Sequence, residues 1–132
     1  MRLHIDSKEV LHEFYKVQFS EIEKVRGFYD KFMGEIIPDF QGDSTDSLAL
    51  GLDYLLAMDM RPFISLIKAP ILLLHGEDDP VCPLSASEYI YRQRPDKTHL
   101  KVVNQAGHIP FYTQPEICCE EISAFLEGLP DG

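Results

Sequence analysis

Two short stretches hold residues whose types and order suit proton transfer: His75-Gly76-Glu77-Asp78-Asp79-Pro80-Val81-Cys82-Pro83, and downstream Ala106-Gly107-His108-Ile109-Pro110. A carboxylate held against Nδ1–H of an imidazole fixes its tautomer and stabilises the imidazolium that forms when Nε2 takes a proton from a nucleophile. The G-x-x-D spacing from Gly76 selects Asp79 for the carboxylate and leaves Asp78 to the turn. The base is then His108. A serine nucleophile would stand in a G-x-S-x-G elbow between a strand and a helix, and that pentapeptide is absent from these 132 residues. Ser44, in the polar run Gly42-Asp43-Ser44, has no apolar strand before it. The sequence therefore carries an acid and a base without a nucleophile.

Bringing the two together falls to strands and the turns that end them. Ile71 to Leu74 is a continuous apolar run of strand length, with Ala69-Pro70 before it. A run without polar alternation suits a parallel strand covered on both faces. Ser85 to Arg94 has helical composition, Pro95-Asp96 turns, and Leu100 to Asn104 makes a second strand. Two parallel strands joined by a helix form a right-handed crossover. As neighbours they lie about 4.8 Å apart, so the loops after their carboxyl ends open on one edge of the sheet. Ligand sites of open α/β sheets lie at that edge. Pro115 suits the first position of a last helix, with Ile117, Ile122, Phe125 and Leu126 as its buried stripe.

The first third reads as helices. Val10, Leu11, Phe14, Tyr15 and Phe19 recur near helical spacing from Lys8 to Phe19. Ser20 with Glu23 three residues on is a capping box, which predicts a second helix through Val25, Phe28, Tyr29, Phe32 and Met33 to a stop at Gly34. Ile37 to Ser44 is a loop. Asp46 or Ser47 can cap a third helix through Leu50, Leu52, Leu55, Leu56 and Met58, and Phe63 to Lys68 is a short connector. The composition shifts most sharply near residues 60 to 70, so residues 1–60 read as a helical region and 61–132 as a β-α-β-α unit.

Hydrophobic content of 45% and charged content of 26% are those of a globular protein of one domain. A net charge of −10, from 12 basic and 22 acidic residues, argues against a nucleic-acid partner. No apolar run reaches the length of a membrane span. The three cysteines include the adjacent Cys118 and Cys119 and form no C-x-x-C, which suits incidental thiols in a reducing cytoplasm. His75, ending an apolar strand, reads as a packed residue, not as part of a metal site with Glu77, Asp78 and Asp79; no metal and no cofactor is expected. His4, His12 and His99 read as surface residues. Phe14, Tyr15, Phe28, Tyr29 and Phe32 read as helix-packing aromatics, and the Cys118-Cys119 pair as half core, half surface.

The stretch from His75 to Pro83, then Ala106-Gly107-His108, Gln114-Pro115-Glu116 and Ile122 to Leu126, resembles the carboxyl-terminal part of the α/β-hydrolase superfamily. Upstream, Leu11-x-x-Phe14-Tyr15 and Asp59-Met60-Arg61 resemble the helical lid and its return in the pimeloyl-[acyl-carrier protein] methyl ester esterase branch. The resemblance implies a partial α/β-hydrolase fold with an N-terminal lid. It assigns Asp79 and His108 as triad acid and base, with Val81 and Ile109 flanking an acyl pocket. The expected function is the lid and acid/base-bearing half of a serine-type carboxylic ester hydrolase acting on a small-molecule ester or carrier thioester. The alternative is a non-catalytic oligomerisation or binding module of the same ancestry. Ile71 to Leu74 has one obvious neighbour in this chain, so a dimer, or a complex with a nucleophile-bearing N-terminal fragment, is expected to cover its other edge.

Overall fold

The computed structural model describes residues 7–36, 38 and 45–129. Its centre is a parallel pair of strands, β1 (Ile71–Gly76) and β2 (Thr98–Val103), in a register running from Ile71 opposite Thr98 to Gly76 opposite Val103. The crossover carries helix α6 (Leu84–Gln93). Both strands thus end level, and the turns after them meet. Glu77 N–H donates to Val103 O (2.9 Å) and Asp78 N–H to Ala106 O (3.0 Å), lacing the two turns together. Gly76 is required at this crossing: a Cβ there would lie 2.0 Å from Gly107 O and 2.4 Å from Ala106 O. Backbone oxygens so placed cannot swing aside.

Ahead of the strands come α1 (Ser7–Lys16), α2 (Glu21–Val25), α3 (Phe28–Glu35), α4 (Thr45–Ala57) and α5 (Arg61–Ile64). The capping box at Ser20 and Glu23 forms with both of its reciprocal bonds. The single helix expected from Ser20 to Gly34 is instead two. Gly27 adopts a left-handed φ of 82°, open to glycine at little steric cost, and breaks the run between α2 and α3. The helix also runs past Gly34 to Glu35. The expected Ile37 to Ser44 loop lies outside the described residues except for Pro38, as does His4.

After β2 come a short α7 (Pro110–Thr113), which the sequence reading did not anticipate, and α8 (Pro115–Glu127), each with proline in its first turn. The stripe expected on α8 is corrected. Ile117, Ile122 and Leu126 are exposed, while Cys118 is buried. Helical phase puts Glu121 and Phe125 on the side of Cys118, and both are half-buried. Glu121 meets Lys101 at 2.6 Å and His99 at 3.3 Å.

The best-buried part of the molecule lies where the first helices meet the end of β2 and α7. Phe19, fully buried, sits edge-on to Phe32 and Tyr29 at ring separations of 5.6 and 5.9 Å, and to Tyr112 of α7 at 6.4 Å. Phe32 meets Tyr112 at 5.3 Å and Tyr15 at 5.5 Å. The expected packing role holds for Tyr15, Tyr29 and Phe32, and in part for Phe14, whose ring lies edge-on to Tyr15 at 5.5 Å although it is largely exposed. Elsewhere burial is incomplete. Ile71 to Leu74 are half-buried instead of covered on both faces, because β1 pairs only with β2 among the described residues. On α4, Leu50, Leu55 and Leu56 are 71%, 74% and 77% exposed, although they point in different directions around the helix. No helix among the described residues is long and apolar enough to cross a membrane.

Candidate active site

Asp79 and His108 meet. The Asp79 turn begins with its own N–H donating to Gly76 O (3.3 Å), and the side chain curls back so that Oδ1 accepts from the amides of Val81 (2.8 Å) and Cys82 (2.9 Å). This leaves Oδ2 to the imidazole Nδ1 of His108, 2.9 Å away. The carboxylate side chain is 5% exposed and the imidazole 34%. Burial alone would raise the Asp79 carboxyl. The Cys82 amide, the His108 imidazole and the Val81 amide outweigh it and hold the group below its ordinary value. An ionised Asp79 can only accept, so Nδ1 of His108 carries the proton and Nε2 is left as a base. Nε2 has no hydrogen-bond partner among the described residues.

His75 backs the Asp79 turn, buried as its place at the end of an apolar strand implied. Its Nε2 lies 2.9 Å from Cys82 O and its Nδ1 2.8 Å from Ser87 Oγ. A carbonyl only accepts, so Nε2 is the protonated nitrogen and, in the neutral ring, Nδ1 takes the Ser87 hydroxyl proton. Asp78 is exposed and stays with the turn. Val81 is exposed two residues past Asp79, and Ile109, half-buried, follows His108 as the residue before α7.

The His108 loop has a second set of anchors, on the other side from Asp79. His108 N–H donates to Gln18 O at 2.7 Å. Glu23, 2% exposed, accepts from Gly107 N–H (2.9 Å) and Ser20 N–H (2.8 Å) at Oε2, and from Thr113 Oγ–H (2.6 Å) at Oε1. Ser20 Oγ donates to Gln105 O (2.8 Å), and Arg26 reaches Gln105 Oε1 at 3.2 Å. Gln105 has a φ of 59°, left-handed for a residue with a side chain. Glu23 was legible as half of a capping box. Nothing local signalled that its carboxylate also serves Gly107 and Thr113.

Other chemistry fits less well. Donor atoms of Asp79, Cys82 and His108 lie within 4.8 Å of one another, in place of the His75, Glu77, Asp78 and Asp79 grouping weighed from the sequence. A cation there would have to displace the imidazole from the carboxylate, whose other oxygen is already held by two amides. Cys82 is a poor nucleophile, because burial, and then the Asp79 charge, push its thiol above its ordinary value. A small hollow between Phe19, Ser20, Ile22, Asp78 and Pro80 borders the Asp79 turn. The larger one, by Pro70, Thr98, His99 and Phe125, opens at the opposite ends of the strands.

The chain matches no protein-family model. Among curated proteins it is similar to pimeloyl-[acyl-carrier protein] methyl ester esterases. It is 33% identical to that of Aromatoleum aromaticum over 82 residues, 62% of this chain and 32% of the relative. It is 34% identical to that of Vibrio campbellii over 80 residues, 61% and 31% of the two chains. With one from Neisseria meningitidis it shares 33% identity over 103 residues, 77% of this chain and 33% of the relative. The matched stretch spans about a third of the length of these relatives, and the chain resembles this esterase branch.

Proposed function

We propose that this chain, given its resemblance to the pimeloyl-[acyl-carrier protein] methyl ester esterases, is the lid and acid/base-bearing part of a serine-type carboxylic ester hydrolase. Residues 1–60 serve as lid and 61–132 as the carboxyl-terminal part of an α/β-hydrolase core. The observation that carries this reading is the 2.9 Å bond from His108 Nδ1 to a nearly buried Asp79 whose other oxygen is tied by two amides. Asp79 orients the ring and stabilises its cation. His108 Nε2 takes the proton of an attacking serine, then returns it to the leaving alkoxide, and repeats the exchange with water to release the acid. Val81 and Ile109 flank the acyl group. The serine and two oxyanion N–H donors come from polypeptide beyond these residues, which contain no G-x-S-x-G.

The edge of β1 that no described residue pairs with, and the exposed leucines of α4, support docking of that polypeptide, or of a second copy of this chain. The substrate class suggested by the relatives' name is the ester of an acyl chain on a carrier. The surface offers an acidic carrier little attraction: the net charge is −10, Lys24 pairs with Glu21 at 2.7 Å, and Arg26 is engaged by Gln105. Recognition of the acyl ester itself, in the cytoplasm, is the reading we favour. To test it, the chain is mixed with an α/β-hydrolase fragment carrying a G-x-S-x-G elbow, and p-nitrophenyl ester hydrolysis is followed. Turnover should exceed that of either piece and fall about 10⁴- to 10⁶-fold with His108→Ala. A mixture that binds but gains no His108-dependent turnover overturns the reading.

A further inference from the structure

We propose that Glu23 is a positioning residue for His108, so that the first helices, besides covering the site, set its geometry. This deepens the acid–base reading above and rests on it. The imidazole meets Asp79 only if the loop carrying it is held, and Asp79 grips one side alone. On the other side, Glu23 is almost wholly buried and spends both oxygens on that loop and its flank: Gly107 N–H at 2.9 Å, one residue before His108, and Thr113 Oγ–H at 2.6 Å, at the end of the helix that follows. The capping box fixes Glu23 in turn, since Ser20 N–H reaches the same Oε2 and Ser20 Oγ accepts from Glu23 N–H. There is no slack in the contact. A Cβ on Gly107 would fall 2.8 Å from Glu23 Oε2 and 2.5 Å from Gln18 O, the carbonyl that receives the His108 N–H. A carboxylate accepting three hydrogen bonds in a buried site is a strong and directional anchor.

The experiment uses the uniformly ¹⁵N-labelled 132-residue chain and observes the His108 Nδ1 proton, which its bond to Asp79 protects from exchange, together with the backbone amides. In Glu23→Ala this signal should disappear, while the Val81 and Cys82 amides, bonded to Asp79 Oδ1, stay protected. Glu23→Gln should rescue it. The amide oxygen can accept from Ser20 and Gly107, and its NH₂ can donate to Thr113 once the hydroxyl turns; with the charge gone, exchange at the Gly107 amide should accelerate about tenfold. A merely structural role would lower the melting temperature and leave the Nδ1 signal unchanged in the molecules that remain folded, which overturns the proposal. If Glu23→Ala does not fold, Thr113→Val removes one of the three bonds and keeps the capping box. It should broaden the signal, and an unchanged signal there is equally decisive against the proposal. Since the signal reports geometry without turnover, failed reconstitution of ester hydrolysis bears on the functional reading and leaves this one to its own test.

Discussion

Replacing Gly107 by alanine should cost about 2–3 kcal/mol, the cheaper of two independent routes. The added Cβ would sit 2.5 Å from Gln18 O and 2.6 Å from Ser20 N, both backbone atoms on a segment itself held by the capping box. If the loop stays docked, the overlap is an overpacking strain of about 1–3 kcal/mol. If the loop lifts away, it loses the neutral bond from His108 N–H to Gln18 O, about 1 kcal/mol, and the charged one from Gly107 N–H to Glu23, about 1.5–3 kcal/mol. The protein takes the cheaper route, and neither is cheap. Urea unfolding followed by circular dichroism should show the midpoint falling by about 1–1.5 M for a slope near 2 kcal/mol/M. Gly34→Ala is the control. Nothing lies within 4 Å of its added Cβ, and it occupies helix α3, so it should stabilise by about 0.5–1 kcal/mol. A Gly107→Ala midpoint within about 0.3 M of the parent, the range of an ordinary surface change, would show that the loop is not clamped between Glu23 and Gln18.

Asp79→Asn should flatten the acid limb of stability. The Asp79 carboxyl is held below its ordinary value, so as pH falls the unfolded chain takes up the proton first, and the stabilisation, full above the unfolded value, drains away through the folded one; equal acid slopes in parent and variant would contradict this. The chain alone should not turn over p-nitrophenyl esters above the background of its exposed histidines, and turnover abolished by a serine-directed phosphonate, with the label on any of its serines, would sink the missing-nucleophile argument. Sedimentation equilibrium should show self-association, or a complex when a nucleophile-bearing fragment is added, because among the described residues β1 pairs only with β2; a well-folded 15.1 kDa monomer at micromolar concentration would refute it.

Residues whose signal is local are readable from the sequence alone. The Asp79 turn and the His108 loop could be placed on one sheet edge because a parallel crossover leaves no other arrangement, and the Ser20 capping box because both of its bonds are made within four residues. Where sequence and structure differ, the cause is distant in sequence or absent from it. Gly27 breaks a helix whose apolar rhythm continues through it. On α8 the buried face is chosen by what it packs against, so Cys118 went in and Ile122 out. The apolar run of β1 speaks of a covered strand, yet among the described residues only β2 pairs with it and Ile71 to Leu74 are half-buried. Glu23 shows the limit most clearly, for its partners lie 84 and 90 positions away.

Those separations bear on the order in which the molecule assembles. β1, α6 and β2 can close as a local unit, since one short crossover brings the strands together. The bonds from Glu23 to Gly107 and Thr113, and from Ser20 to Gln105 across 85 positions, bridge a stretch about three times longer. Closing it adds about 1 kcal/mol of chain entropy to the search and, as a high-contact-order step, slows it. The imidazole therefore reaches its working position late, after the sheet has formed, when the earliest helices of the chain fold back onto nearly its last turn. Refolding monitored at β2 should run ahead of refolding monitored at the Asp79–His108 hydrogen bond.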